Sequence, residues 1–133
     1  MIRNYENPEN TISLVDSTSV TVPVKVFTSS TTGGPISGGV TGRTNAVTTI
    51  ALCNTAAAST ADETTNAVTV NIYIVRSGKS YGAGNMIVSS LTVPAGETVF
   101  FSEERMVLDS GDEIWVGTSS ASKLSVTVSA LAV

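Results

Sequence analysis

The chain has 133 residues, a formal net charge of -4 at pH 7, one cysteine and no histidine. This length fits one domain with a single core, and the seven Lys and Arg residues are scattered, which argues against nucleic acid as a partner. Without histidine, a Ser-His-Asp triad and the usual metal sites cannot be assembled, so the composition argues against an enzyme, a bound metal and a cofactor.

Charged residues make up only 14% of the chain, and its mean hydropathy is +0.25. A freely soluble monomer normally keeps a well-charged surface that resists association. We therefore expect part of the surface to meet another protein.

Residues 1–19 begin with a polar stretch where a signal peptide needs an apolar centre, so we expect synthesis and retention in the cytosol. No apolar run approaches the ~20 residues that cross a bilayer, so no membrane partner is expected. The one apolar patch of this segment holds three candidate interface residues, Ile12, Leu14 and Val15. This patch could add a strand to the sheet of a neighbouring subunit instead of its own.

Valines alternate with other residues over 20–27, which predicts a strand. Pro23 cannot donate a ladder hydrogen bond, so this strand should lie at a sheet edge or carry a bulge. Residues 28–44 are rich in Gly, Ser and Thr and predict a long loop or an arm that is ordered by contact. We therefore assign residues 1–44 to an N-terminal arm and loop with one edge strand at about 20–27.

Residues 45–133 form the predicted body. Alternation is clearest at 68–74 and 124–130, and shorter strands are predicted at 47–53, 86–93, 98–101 and 113–117. Turn residues at 94–96 and 109–112 separate them, and no segment has a helical pattern. The predicted fold is all-β, an antiparallel β-sandwich or jelly roll of about seven to eight strands with an extended N-terminal arm.

The groups that could carry chemistry have simpler structural interpretations. Carboxylates cluster at 62–63, 103–104 and 109–113, but they lack the spaced oxygen ligands of a calcium loop, and we expect them to keep turns soluble. Gly78-Lys79-Ser80 matches the end of a phosphate-binding loop, but Tyr73 stands where its first glycine belongs and no helix follows. Cys53 lies in an apolar run and is expected to be buried.

Aromatic residues are few, and Trp115 is the only indole. Its strand position makes it point away from the side of Ile114 and Val116, so packing at an interface is the expected role. Tyr81, in a glycine-rich loop, is a further interface candidate. The alternative is a carbohydrate-binding module that uses Trp115, Tyr73 or Tyr81 as its stacking platform.

Four segments in a fixed order, 51–55, 68–76, 91–98 and 107–114, resemble small β-sandwich structural proteins of tailed bacteriophages. In those proteins a strand ending in Cys-Asn, an Ala-Gly-Glu-Thr turn and a Leu-x-x-Gly-Asp-x-Ile turn precede a final alternating strand. The likeness covers residues 45–133. It implies a virion component without enzymatic activity that assembles symmetrically, often as trimers.

The leading hypothesis is a capsid decoration or cement protein located in the virion, which stabilises the shell through contacts with the major capsid protein and with copies of itself. A neck, tail or baseplate structural protein is one alternative. A carbohydrate-binding or receptor-binding module is another. Nucleic acid, a membrane and a cofactor are not expected partners.

Overall fold

A computed structural model describes residues 9–29, 45–58, 65–102 and 106–132. These residues form nine β-strands and one short 3-10 helix, Ala83–Asn85, and they contain no α-helix. No helix within them has the length and apolarity that crossing a membrane requires. The strands are β1 (Glu9–Leu14), β2 (Val24–Thr28), β3 (Asn45–Asn54), β4 (Val68–Val75), β5 (Met86–Val93), β6 (Thr98–Phe101), β7 (Met106–Leu108), β8 (Glu113–Thr118) and β9 (Leu124–Ala132).

The strands form two antiparallel sheets, which we call the five-stranded and the four-stranded sheet. The five-stranded sheet has the order β1-β9-β3-β6, and β7 pairs with β3 beyond the end of β6. The four-stranded sheet has the order β2-β8-β4-β5. With β7 counted as a continuation of β6, the pairing is nested: β1 pairs with β9, β2 with β8, β3 with β6 and β7, and β4 with β5. This is one long hairpin rolled into a double-layered jelly roll, which confirms the predicted all-β sandwich.

Alternation within the strands builds the core between the sheets. Leu52 of β3 and Val126 of β9 lie side by side on the inner face of the five-stranded sheet, and both are fully buried. Ile72 of β4 and Val116 of β8 form the corresponding pair on the four-stranded sheet. Each such side chain contributes about 1.5–3 kcal/mol when it leaves water. The two apolar faces therefore hold the layers together.

The N-terminal segment differs from the sequence prediction. The sequence allowed residues 9–14 to pair with a neighbour's sheet, and in the structure β1 pairs with β9 of its own chain along its whole length. The next residue, Val15, is fully buried in the core, and its N–H donates to the carbonyl of Leu124 at 2.8 Å. The described part of 1–44 therefore shares both sheets with residues 45–133, and the predicted boundary at residue 45 separates segments that pack as one unit.

The second strand is shorter than the valine pattern suggests. It begins at Val24, lies at the edge of its sheet, and has an irregular register between Lys25 and Phe27. Val22 precedes it in a turn, where its N–H donates to the carbonyl of Ser19 at 3.0 Å. Both devices that Pro23 predicts, an edge position and a bulge, occur in this strand. The predicted loop that follows falls mostly on residues 30–44, outside the described residues.

The segment 17–22 crosses the outer face of the four-stranded sheet. The backbone of Val20 lies so close to Gly117 of β8 that a Cβ there would be 2.3 Å from the Val20 carbonyl oxygen. Only a residue without a side chain permits this approach. The N-terminal segment is therefore packed on both sides, through Val15 into the core and through Val20 onto the outer face.

Candidate functional site

Three aromatic side chains that are distant in sequence meet on the outer face of the four-stranded sheet. Tyr73 of β4 and Trp115 of β8 are cross-strand partners, and both point away from the core. Tyr81, from the loop between β4 and β5, packs on both, with ring centroids 6.0 Å from Tyr73 and 5.3 Å from Trp115. We call these three residues the aromatic surface.

Tyr73 is the buried floor of the aromatic surface. Its hydroxyl donates to the carbonyl of Val20 at 3.0 Å and accepts from the side-chain amide of Asn71 at 3.3 Å. The amide oxygen of Asn71 accepts from the N–H of Ser90 at 2.7 Å, at the point where the register between β5 and β4 is irregular. Because this network locks the ring, Tyr73 supports its neighbours, and only Tyr81 and Trp115 remain for contact with a ligand or partner.

A carboxylate borders the aromatic surface. Glu113 accepts a hydrogen bond from the indole N–H of Trp115 at 3.2 Å, and its other oxygen lies 3.2 Å from the Lys25 ammonium. The Lys25 side chain is half exposed, so this ion pair contributes little to stability. The hydrogen bond to Glu113 fixes the edge of the indole, and the Lys25–Glu113 pair lies beside this ring.

The outer face of the five-stranded sheet has the opposite character. Small and hydroxyl-bearing residues fill its two central strands, and apolar residues lie at its edges. Among the side chains described there, none is charged. We call this surface the uncharged face; its members are Leu14, Ala46, Thr49, Ala51, Cys53, Thr98, Phe100, Val107, Ser125, Thr127, Ser129 and Leu131.

Large apolar side chains are exposed at both margins of the uncharged face. Leu14 on β1 is 57% exposed, and Phe100 on β6 and Val107 on β7 are 64% and 58% exposed. Between them, Ala51 pairs with Thr127 across β3 and β9, so the middle of the face is low. Exposed apolar groups among uncharged neighbours, as the described side chains of this face show, are typical of a site that contacts protein.

An apolar cavity of about 420 Å³ opens where the two sheets part at β5 and β6. It reaches from the exposed Ile87 to the core residues Ile50 and Ile72, and Val88, Phe101 and Met106 complete its lining. The opening coincides with the bulged register of β5 and the break between β6 and β7. All six lining side chains are apolar.

The acidic turn before β8 has a structural role. The buried carboxylate of Asp112 accepts from the N–H groups of Ser77 at 3.0 Å and Asp109 at 3.1 Å, and from the Arg76 guanidinium at 2.9 Å. It therefore joins the turn after β4 to the turn before β8. The other predicted carboxylate clusters, 62–63 and 103–104, lie outside the described residues.

No three His, Cys, Asp or Glu side chains in the described ranges come together as a metal site would require. The Gly78-Lys79-Ser80 segment lies in an exposed turn after β4, and the only helical element that follows before β5 is the 3-10 helix. Cys53 is not buried as expected: it is half buried on the uncharged face, because its strand turns Leu52 and Asn54 inward.

The structure divides the five predicted interface residues. Tyr81 and Trp115 touch each other, and Leu14 is exposed on the opposite side of the sandwich. Val15 is a core residue and presents no surface. Ile12 lies in β1, where its backbone pairs with Thr127, and its side chain lies outside the described part.

Sequence reasoning missed the exposed residues of β6 and β7. A signal for them exists, because the strand 98–101 reads Thr-Val-Phe-Phe and the strand 106–108 reads Met-Val-Leu, so each has apolar residues on both sides. A strand with no polar side must expose apolar groups if only one sheet face is covered. Phe100 and Val107 are those groups.

No model of a known protein family matches this chain, and no curated protein matches it either.

Proposed function

We propose that this chain is a structural protein of a tailed-bacteriophage virion, a capsid decoration or cement protein that stabilises the shell through protein contacts and has no enzymatic activity. The observation that carries the proposal is the uncharged face, which offers exposed Phe100 and Val107 on one margin and Leu14 on the other. The phage assignment itself rests on the motif resemblance at residues 45–133. The jelly roll is compatible with it, since this architecture occurs in viral capsid proteins, but also in lectins.

The proposed partners are the major capsid protein and further copies of the chain. Apolar contact without charge suits a protein that binds a completed shell, because affinity then depends little on salt and on long-range attraction. Residues 1–8 and 30–44 are proposed to lie across neighbouring shell subunits. A neck, tail or baseplate position uses the same surface and differs in the number of copies.

The test is the abundance of the chain in purified particles, measured by quantitative mass spectrometry against the shell protein. The proposal expects a copy number in proportion to the shell protein. A small copy number that matches the symmetry of the tail would move the chain to the neck, tail or baseplate. Absence from purified particles would reject a virion role altogether.

The contribution of the N-terminal residues needs a deletion that leaves the fold intact. Removing residues 1–19 is unsuitable, since it takes away β1, the core residue Val15 and part of the segment on Gly117. Removing residues 1–8 spares all of these. We expect this shorter protein to fold and to lose occupancy on particles, and full occupancy would show that residues 1–8 are not an attachment arm.

A carbohydrate-binding or receptor-binding module is a second candidate, favoured by the contact between Tyr81 and Trp115. An indole beside the Lys25–Glu113 pair combines a stacking ring with hydrogen-bonding groups, which is what a sugar ring requires. A glycan array tests it, with Trp115→Ala as the loss variant and Phe100→Ala, on the opposite sheet, as the control. Binding that survives Trp115→Ala, or no binding at all, removes this candidate.

A further inference from the structure

We propose that the uncharged face binds a second copy of this chain, so that two five-stranded sheets pack face to face in a two-fold symmetric dimer. The inference deepens the proposed function and rests on it, since it names the occupant of the same surface. A two-fold contact places the same patch on both sides, so each residue must tolerate its own kind or a neighbour from the same patch.

The distribution of charge favours a like partner. The chain carries a net charge of -4, and the outer face of the four-stranded sheet bears Lys25 and Glu113. Packing the uncharged face against that surface would take charged groups out of water, which is costly unless each finds a partner. Packing it against its own copy brings together the members of the uncharged face, none of which carries a charge.

The hydroxyl groups of the central strands are also self-complementary. Ser125, Thr127 and Ser129 line one side of β9, and Thr49 is the cross-strand partner of Ser129 on β3. A hydroxyl both donates and accepts, so a surface of Ser and Thr can satisfy itself when it meets a copy. These short side chains lose little conformational entropy when they are immobilised, in contrast to Lys, Arg or Glu.

The area is sufficient for a specific dimer. The two central strands have ten and nine residues, whereas β1 has six and β6 with β7 has seven. Residues are spaced by about 3.3 Å along a strand, and strands by about 4.8 Å. Each copy therefore offers roughly 500 Å², and two copies would bury roughly 1,000 Å², which reaches the ~1,000 Å² expected of a biological interface. The exposed apolar margins then pack on the low, small-residue centre of the partner.

The first experiment measures the mass of the full chain by sedimentation over a wide range of protein concentration. We expect reversible formation of a species of twice the 13.6 kDa monomer. Val107→Asp should weaken dimerisation by about tenfold or more, because it places a charge in an apolar contact. Val22→Asp is the matched control: its valine is equally exposed, at 57%, lies off the uncharged face, and adds the same charge.

A second readout uses the single cysteine. Cys53 lies on the uncharged face and is half buried in the monomer. Its rate of alkylation should fall as the wild-type protein is concentrated into the dimer, and this protection should be absent in Val107→Asp. Equal alkylation rates at all concentrations, in protein that sedimentation shows to be dimeric, would place the dimer contact elsewhere and overturn the inference.

The outcomes separate this inference from the proposed function. A protein that stays monomeric but occurs in particles would refute the dimer and leave the virion role intact, with the uncharged face bound to a different protein. A protein that dimerises through the uncharged face but is absent from particles would support the dimer and refute the virion role. A trimer, or an equal effect of Val22→Asp and Val107→Asp, would overturn the two-fold contact, because an isologous patch cannot build a three-fold ring.

Discussion

Gly117→Ala tests how the N-terminal segment is held on the four-stranded sheet. The new Cβ would lie 2.3 Å from the carbonyl oxygen and 2.8 Å from the carbonyl carbon of Val20. Ordinary contact requires more than 3.4 Å, so the Val20 carbonyl must retreat by about 1 Å. That oxygen accepts from the Tyr73 hydroxyl at 3.0 Å and from the Asn71 amide at 3.3 Å.

Both donors are buried, so each loses a partner that water cannot easily replace. An unsatisfied buried donor costs about 1–3 kcal/mol, and Asn71 keeps its bond to Tyr73, so we expect a loss of about 3 kcal/mol in the free energy of unfolding. The measurement is urea unfolding followed by the fluorescence of Trp115, the only tryptophan. The control is Gly84→Ala, where nothing lies within 4 Å of the added carbon, and we expect a change of about 0.5 kcal/mol at most.

A double-mutant cycle identifies the bond that is lost. Tyr73→Phe removes the hydroxyl, and it should cost clearly less in the Gly117→Ala background than in the wild type, because the bond to Val20 is already broken there. If Gly117→Ala leaves the unfolding midpoint unchanged, or if the two substitutions are additive, then the close packing of Val20 on β8 is refuted as a source of stability.

Three further stability predictions use the same urea assay. Asp112→Ala should cost about 2–4 kcal/mol because two backbone N–H groups lose their acceptor, whereas Arg76→Ala should cost about 1 kcal/mol or less because its side chain is exposed; equal losses would assign the effect to the ion pair. Asn54→Ala should cost about 3 kcal/mol, since its buried side chain makes three hydrogen bonds to backbone groups, and a loss under about 1 kcal/mol would contradict those contacts. Val15→Ala should cost about 2 kcal/mol and the adjacent Leu14→Ala about 0.5 kcal/mol at most, and the reverse order would show that Val15 is not a core residue.

The strands of the sandwich could be predicted because apolar residues occur at every second position in them. The segment 68–74 places Val68, Val70 and Ile72 on one side, and all three are buried between the sheets. The alternation does not predict which strand pairs with which. The pairing of β1 with β9 joins residues more than one hundred positions apart, and a short strand of 9–14 has no feature that distinguishes its own sheet from a neighbour's.

The same limit explains the valines at 20–26. Four alternating valines predict a strand from residue 20 onward. The structure has a turn there instead, because the Ser17 hydroxyl lies 2.8 Å from the carbonyl oxygens of both Ser19 and Val22. Val22 is consequently exposed. Local hydroxyl-to-backbone bonds of this kind override β-propensity, and only the tertiary fit of Val20 on Gly117 reveals why the turn is there.

The sequence predicts only part of the aromatic surface. Alternation places Trp115 on the outer side of β8, but its cross-strand neighbour Tyr73 becomes visible only when the register of β4 with β8 is known. The uncharged face depends on register in the same way, because Ala51, Thr127 and Phe100 belong to three strands that are remote in sequence. A sequence contains the residue types of a surface, whereas the sheet order decides which of them are neighbours.

The motifs that resemble those of phage structural proteins make structural contacts in and between turns. Asn54, at the end of the Cys-Asn strand, donates its backbone N–H to Glu97 at 3.0 Å, accepts from Gly96 at 3.0 Å, and donates its side-chain amide to Val93 at 3.0 Å. Gly96 has a φ of 76°, which suits glycine in that turn. In the third motif, Asp112 satisfies the backbone of two turns. These contacts stabilise the turns of the fold, so a chain with the same motifs could share its turns with this one without sharing its partners. What the protein binds must therefore be decided on the two outer faces, where none of the motif turns lies, and the paired variants Val107→Asp and Trp115→Ala address those faces one at a time.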